Sequence, residues 1–413
     1  MNAPLSEAGR GAAARTQATE PRSYGTAAAR HDLLRIGRVP IHFFSAAVIY
    51  FAAGVAAAPF VTGTIVEFFY QPAALALVHT FTLGFITSAI MGVMYRYVPA
   101  LTRHPVPFPR MAIWQFWMFE TGTLGMISHF ANGVWVGLWW SAIMVVAAAV
   151  MFAINLLPCL YAQVGRAVAE TGMFLSICLF LVAASIGLVL GIDKTYNFLG
   201  GDVITNIAGH VHFAARGWVT LTICAVSYRM LPAFLLPKIQ LPRAAVWQLW
   251  TLAAGVLALG ATLLLRMPGA TVWSVIIALS LLSYLVTMGR LVRSRRMPID
   301  FTPMHAIAGI VWLVMAIVAG VTLSVIGAQS EAGTRIASAY GTLGLLGWIA
   351  NFIIGMSYQL FPGFVSRARG QMGWPVVTIP ELSISSPRWL VFIGFNGGVA
   401  CLVAGFLAGS VPI

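Results

Sequence analysis

Three stretches of this chain, spaced about 130 residues apart, carry one pattern, and any fold must place them equivalently. The first runs from His79 as His-Thr-Phe-Thr-Leu-Gly-Phe and ends at Tyr95 and Pro99. The second runs from His212 as His-Phe-Ala-Ala-Arg-Gly-Trp and ends at Tyr228 and Pro232. The third runs from Thr342 as Thr-Leu-Gly-Leu-Leu-Gly-Trp and ends at Tyr358 and Pro362. Counted back from each proline, His79, His212 and Thr342 lie twenty residues upstream, Phe85, Trp218 and Trp348 fourteen, and the tyrosines four. An internal repeat sets the number of equivalent units before any single element is assigned. Here it predicts three equivalent helices, two with histidine at matched depth and one without.

The medium around those helices follows from the apolar runs, many longer than the roughly 18 residues that mark a membrane span. Charged residues make up only 8% of the chain, against about a quarter in a soluble domain. The expected fold class is all-α: a polytopic membrane helix bundle of about eleven spans in three pseudo-symmetric arcs of roughly four helices. The spans read as 39–60, 72–99, 110–131, 134–157, 167–191, 203–234, 243–265, 271–291, 302–328, 333–363 and 387–410. The repeat helices are those at 72–99, 203–234 and 333–363. Residues 1–38 hold six arginines and no apolar run, so a disordered basic tail is expected there, ahead of a membrane domain over 39–413.

A net charge of +13 would suggest a nucleic-acid partner in a soluble chain. Its placement excludes that reading. With the N-terminus inside, the tail and the loops after every even-numbered span collect 20 of the 24 basic residues, Arg290, Arg293, Arg295 and Arg296 among them. The opposite loops hold only Lys194, Arg266 and Arg335. This asymmetry predicts the N-terminus in the cytoplasm and a multi-pass protein of the bacterial inner membrane, with the lipid bilayer as its main partner. The cysteines Cys159, Cys178, Cys224 and Cys401 have no paired spacing and read as small packing residues. The tryptophans near span ends, such as Trp114, Trp117, Trp140 and Trp247, read as interfacial belts.

Ionisable residues inside a bilayer are costly and mark a cavity, a partner or a metal. In this topology His79, His129, His210 and His212 share the outer half of the membrane, on the second, third and sixth helices. Imidazole binds haem iron and copper without charge neutralisation, and no Cys-x-x-Cys-His is present. The His210-x-His212 spacing turns the two rings about 200° apart, so one helix can serve a site on each flank. Within the helices, Arg216 stands one turn inward of His212, and Glu120 lies at comparable depth. A mutual Glu120–Arg216 ion pair is the default expectation. The sharper one makes Glu120 a proton relay and gives Arg216 a haem or its water network to hold. Gly84, Gly217, Gly344 and Gly347 either allow close helix contact or make room for a porphyrin face.

The run His210-Val-His212-Phe-Ala-Ala-Arg-Gly-Trp218, with Tyr228 and Pro232, resembles the tenth helix of the catalytic subunit (subunit I) of haem–copper oxidases, most closely the cbb type. Val78-His79-Thr80 with Tyr95 and Pro99 is similar to that family's other histidine-bearing helices, and Phe116-Trp117 before His129 resembles its copper-binding helix. The resemblance implies three arcs of four helices, one or two haems b, copper, an electron donor that is a cytochrome or quinol, and a diatomic gas as ligand. Two registers remain open. With a one-arc offset, His79 and His129 stand at copper positions and His210 is the active-site haem ligand. Without it, His79 and His212 clamp one low-spin haem. Phe130 and Thr123 stand where the family's pattern has a second copper histidine and the redox tyrosine. His79 with Gly84-Phe85 is also similar to the NnrS-type haem–copper membrane proteins of the nitric-oxide response.

These observations imply a haem-binding membrane redox protein, with or without copper, related to respiratory oxidase and NO reductase catalytic subunits, that binds or reduces O₂ or NO. Whether it is an enzyme stays open; if so, it is an oxidoreductase. One alternative is an NnrS-like protein without turnover. Another, of a different class, is a proton-coupled transporter without cofactor.

Overall fold

The computed structural model describes residues 38–409, apart from 68–69, 201–202, 372, 376, 378–380 and 383–386. The expected tail at 1–38 lies almost wholly outside them. Eleven long helical elements follow in chain order. The first four are α1 (Val39–Glu67), α2 (Pro72–Thr102), α3 (Pro109–Ala131) and α4 (Leu138–Tyr161). Then come α5 (Val168–Tyr196), α6 (Val203–Leu235), α7 (Ala244–Leu264) and α8 (Ala270–Arg293). The last are α9 (Phe301–Ile326), α10 (331–371) and α11 (Arg388–Ala408). Among the described residues there is no strand, and ten of these helices are long and apolar enough to cross a membrane. α3 falls short of that measure because its 23 residues include Arg110, Gln115, Glu120 and His129, yet it packs extensively on α4 like its neighbours.

The arcs are marked in the sequence. α1–α4, α5–α8 and α9–α11 form successive units, and Pro-Arg opens the third helix of each, at Pro109-Arg110, Pro242-Arg243 and Pro387-Arg388. The first two arcs repeat one contact pattern. Tyr95 meets Phe152 edge-on at 5.3 Å and Phe152 meets Trp218 at 6.1 Å. Tyr228 meets Tyr284 at 5.5 Å and Tyr284 meets Trp348 at 6.1 Å. Edge-to-face pairs of this kind add specificity to a core otherwise held by dispersion.

Each repeat helix also carries a π-helical segment at the same place: Thr80–Thr87 in α2, His212–Thr220 in α6 and Leu343–Ala350 in α10. Such segments are rare and cluster at functional sites. The first two repeat helices stop alike, in the left-handed conformation, at Arg103 (φ 57°) and Leu236 (φ 43°). Each of these residues is four past the repeat's proline. Left-handed backbone costs a non-glycine residue about 1–2 kcal/mol, so the packing on either side must hold these ends in place.

The junctions between repeats use one polar pair. Trp218 Nε1 donates to Thr87 Oγ1 (3.2 Å), joining α6 to α2, and Trp348 Nε1 donates to Thr220 Oγ1 (3.3 Å), joining α10 to α6. The third junction of the set has Phe85 at the tryptophan position and Ala350 at the threonine position. Donor and acceptor are missing together, so no buried polar group is orphaned. Losing both costs little, whereas losing one leaves an unsatisfied group.

Candidate functional site

His79 closes the first α-helical stretch of α2, and His212 opens the π segment of α6. Both positions obey one rule. His79 Nδ1 pairs with the Leu75 carbonyl at 2.8 Å, and His212 Nδ1 pairs with the Ala208 carbonyl at 2.6 Å, each one turn back. A carbonyl only accepts, so Nδ1 carries the hydrogen in both rings. Nε2 is left as a lone pair, which is how a histidine is prepared for a metal. Thr342, at the same position of α10, donates its Oγ1 hydrogen to the Ser338 carbonyl at 3.0 Å. The backbone interaction is retained and the nitrogen ligand is absent.

His210 and His212 stand two residues apart on α6. His210 lies against α5, where a Cβ added at Gly187 would sit 3.0 Å from its Cε1. Its Nδ1 is buried with no hydrogen-bond partner. The opposed directions of the His-x-His pair are therefore realised: His210 serves the α5 flank and His212 the other. On that second flank Arg216 donates to the Tyr340 hydroxyl of α10, lies over its ring at 5.3 Å, and approaches Gly320 of α9.

One expectation changes, and the structure adds detail to two others. His129 makes its contacts within its own turn. Its Nδ1 pairs with the Val134 carbonyl at 2.9 Å, and its ring covers Gly137 in the α3–α4 turn. The neighbouring Phe130 takes the place facing His79, with ring centroids 4.6 Å apart. The tight turn after Ala131 bends the chain back over the histidine, which spacing alone does not show. Among the described residues no three His, Cys, Asp or Glu side chains form a group that could hold a metal ion.

The Glu120–Arg216 ion pair does not form. Glu120 Oε1 accepts from Ser88 Oγ at 2.9 Å, Tyr50 of α1 approaches the same residue, and Oε2 is buried without a partner. The two charges belong to different arcs. Finally, three of the four glycines serve close packing: Gly84 receives Tyr50, Gly217 receives Leu179 and Gly347 receives Trp312. Gly344 alone has open space where a Cβ would stand.

A further cluster had no motif to announce it. His305 of α9 is fully buried, and its Nδ1 pairs with Asn351 Oδ1 at 2.9 Å. Asn351 Nδ2 donates to the Gly347 carbonyl at 2.8 Å, and Trp312 Nε1 donates to Asn396 Oδ1 at 2.7 Å. The indole and the helix carbonyl admit one direction each, so the whole chain is oriented and His305 holds its hydrogen on Nδ1. The sequence signal was two asparagines inside apolar spans.

The donors fit an iron porphyrin in kind: imidazoles with one nitrogen tied to a carbonyl, an orphaned buried nitrogen on His210, and no carboxylate or thiolate beside them. Comparisons with known proteins agree at the level of fold. No protein family and no curated protein matches the sequence. The structure is similar to that of a heme-copper terminal oxidase dimer determined by cryo-EM. The TM-score is 0.60 at 13% sequence identity, over 94% of this chain and 84% of that one. At that identity the likeness is one of architecture: a polytopic membrane helix bundle built as that oxidase is built.

Proposed function

We propose that this chain is a haem-binding integral membrane redox protein whose iron is held between α2 and α6. One observation carries the reading. The repeat helices α2 and α6 carry His79 and His210: His79 has Nδ1 tied to a backbone carbonyl with Nε2 free, and His210 keeps a buried nitrogen without a partner. A haem there would supply reversible binding of O₂ or NO and one-electron chemistry. The chain's own part is orientation and exclusion. Leu75 fixes the His79 ring, Gly187 leaves room for His210, and Phe130 packs on the His79 ring. His212 is a second ligand candidate on the opposite flank, beside Arg216, whose guanidinium suits a propionate. Glu120, with one carboxylate oxygen free of partners, is the residue for proton delivery. Electrons would come from a cytochrome or a quinol.

Phe130 against His79 favours an iron site without adjacent copper, and hence NO or O₂ binding without the full oxidase reaction. The test is an absorption spectrum of protein expressed with ample haem, before and after dithionite. A redox-sensitive Soret band that is lost in His79→Ala and His210→Ala is expected. A spectrum without that band would end the haem reading and leave the proton-coupled carrier. Copper analysis of the same sample should find less than one copper per haem.

A further inference from the structure

A cavity of about 520 Å³ opens beneath α6, between its Pro232 end, the loop into α7 and the end of α8. It lies at the face where the basic residues gather. Arg229 and Arg296 line it, with Tyr228, Pro232, Ile239 and Leu291 as apolar and aromatic walls. Among the described residues neither guanidinium has an ion pair or a side-chain hydrogen bond, and Arg229 and Arg296 are both exposed. The Tyr228 hydroxyl is already engaged with Gln248 Oε1 at 3.1 Å, so the polar side chains left to the cavity are Gln240 and the two arginines.

The first arc shows that the cavity is particular to the second. The loop 104–108 matches 237–241, since each precedes the Pro-Arg that opens the next helix. In the first arc the loop is docked. Phe108 N donates to Asn155 Oδ1 at 3.0 Å, Asn155 Nδ2 donates back to the Phe108 carbonyl at 3.2 Å, and Val106 is buried at 5% exposure. In the second arc Thr287 stands near the place of Asn155 and donates to Ser283 of its own helix at 3.0 Å. The loop is tied instead at Lys238, whose N–H donates to the Ser294 carbonyl at 2.9 Å. Ile239, at the place of Val106, is 41% exposed. The space that Val106 fills in one arc is open and doubly cationic in the other.

We propose that this cavity binds the anionic phosphodiester headgroup of a membrane phospholipid. Arginine forks match phosphate oxygens in pairs, basic pockets between helices at this face suit such headgroups, and the volume falls in the range of ligand sites, about 300–1,000 Å³. Exposed Leu236 and Ile239 flank the cavity where acyl chains would leave it. The proposal is independent of the haem reading.

The test uses the full chain in phosphatidylcholine nanodiscs, with and without phosphatidylglycerol, and counts retained lipid by native mass spectrometry. Wild type should keep one phosphatidylglycerol through delipidation, and its melting temperature should rise with that lipid. R229Q/R296Q should lose both effects, R293Q should keep them, and I239W, which fills the cavity without altering charge, should lose them as well. Equal retention in wild type and R229Q/R296Q, or equal loss in R293Q, would overturn the site in favour of a diffuse basic belt. Equal protection by inorganic phosphate would overturn the lipid assignment. If R229Q/R296Q is misfolded, I239W decides, because retention of the lipid in that variant also overturns the proposal.

Discussion

α6 and α10 are the same helix twice, with histidines in one and none in the other. Both turn from α to π geometry within one residue of the matched position, carry a tryptophan that donates to a threonine of the preceding repeat helix, and run past the repeat's proline. At the matched position His212 and Thr342 even make the same backbone bond one turn back. At that position the difference is what remains after the bond, a free imidazole nitrogen in α6 and a short hydroxyl in α10; His210 and Arg216 likewise give way to Tyr340 and Leu346. The scaffold therefore does not need the ligand, and the ligand can be changed without loss of the scaffold.

The comparison breaks most sharply at His210. His210→Ala should lower haem content at least about tenfold, since removing a metal ligand removes the main contribution to binding. The fold should persist, checked by circular dichroism and size exclusion alongside the Soret absorbance. If His210→Ala keeps full haem, the α2/α6 site is wrong. Thr342→His sharpens the comparison from the other side. It installs a histidine beside the open space at Gly344, and the expected result is an altered low-spin spectrum dependent on His212. An unchanged spectrum would mean that the His212 flank holds no iron.

A smaller effect is expected at Glu120. Glu120→Gln keeps the Ser88 bond and should leave the haem spectrum intact while slowing proton-linked turnover or ligand reduction roughly 10²-fold. Unchanged activity would exclude the relay. The smallest effects belong to the junctions. Thr87→Ala leaves the Trp218 N–H unsatisfied and should destabilise by about 1–3 kcal/mol. Thr87→Ala with Trp218→Phe copies the Phe85/Ala350 junction and should recover much of that loss in thermal unfolding.

Much of this was legible in the sequence because it rests on period and spacing. Eleven spans, the matched prolines and the opposed rings of His210 and His212 follow from the apolar runs and from 3.6 residues per turn. The arrangement of arcs followed from the repeat. What was not legible depends on contacts between helices. The partner of Glu120 is Ser88 and that of Arg216 is Tyr340, neither near in sequence. His129 was expected at the depth of His79, but a turn of a few residues decides where its ring goes. The π segments leave no mark in composition, since apolar residues satisfy either helix.

Those wide turns have a geometric consequence. A π turn accommodates one residue more than an α turn, which advances everything beyond it by about 100° around the axis. In α2 and α6 the histidine half and the tyrosine–proline half are thus rotationally phased by the segment between them. Deleting a single residue there would leave both halves helical and yet swing the imidazoles away from their present neighbours, so the bulges of α2 and α6 act as the angular setting of their histidines.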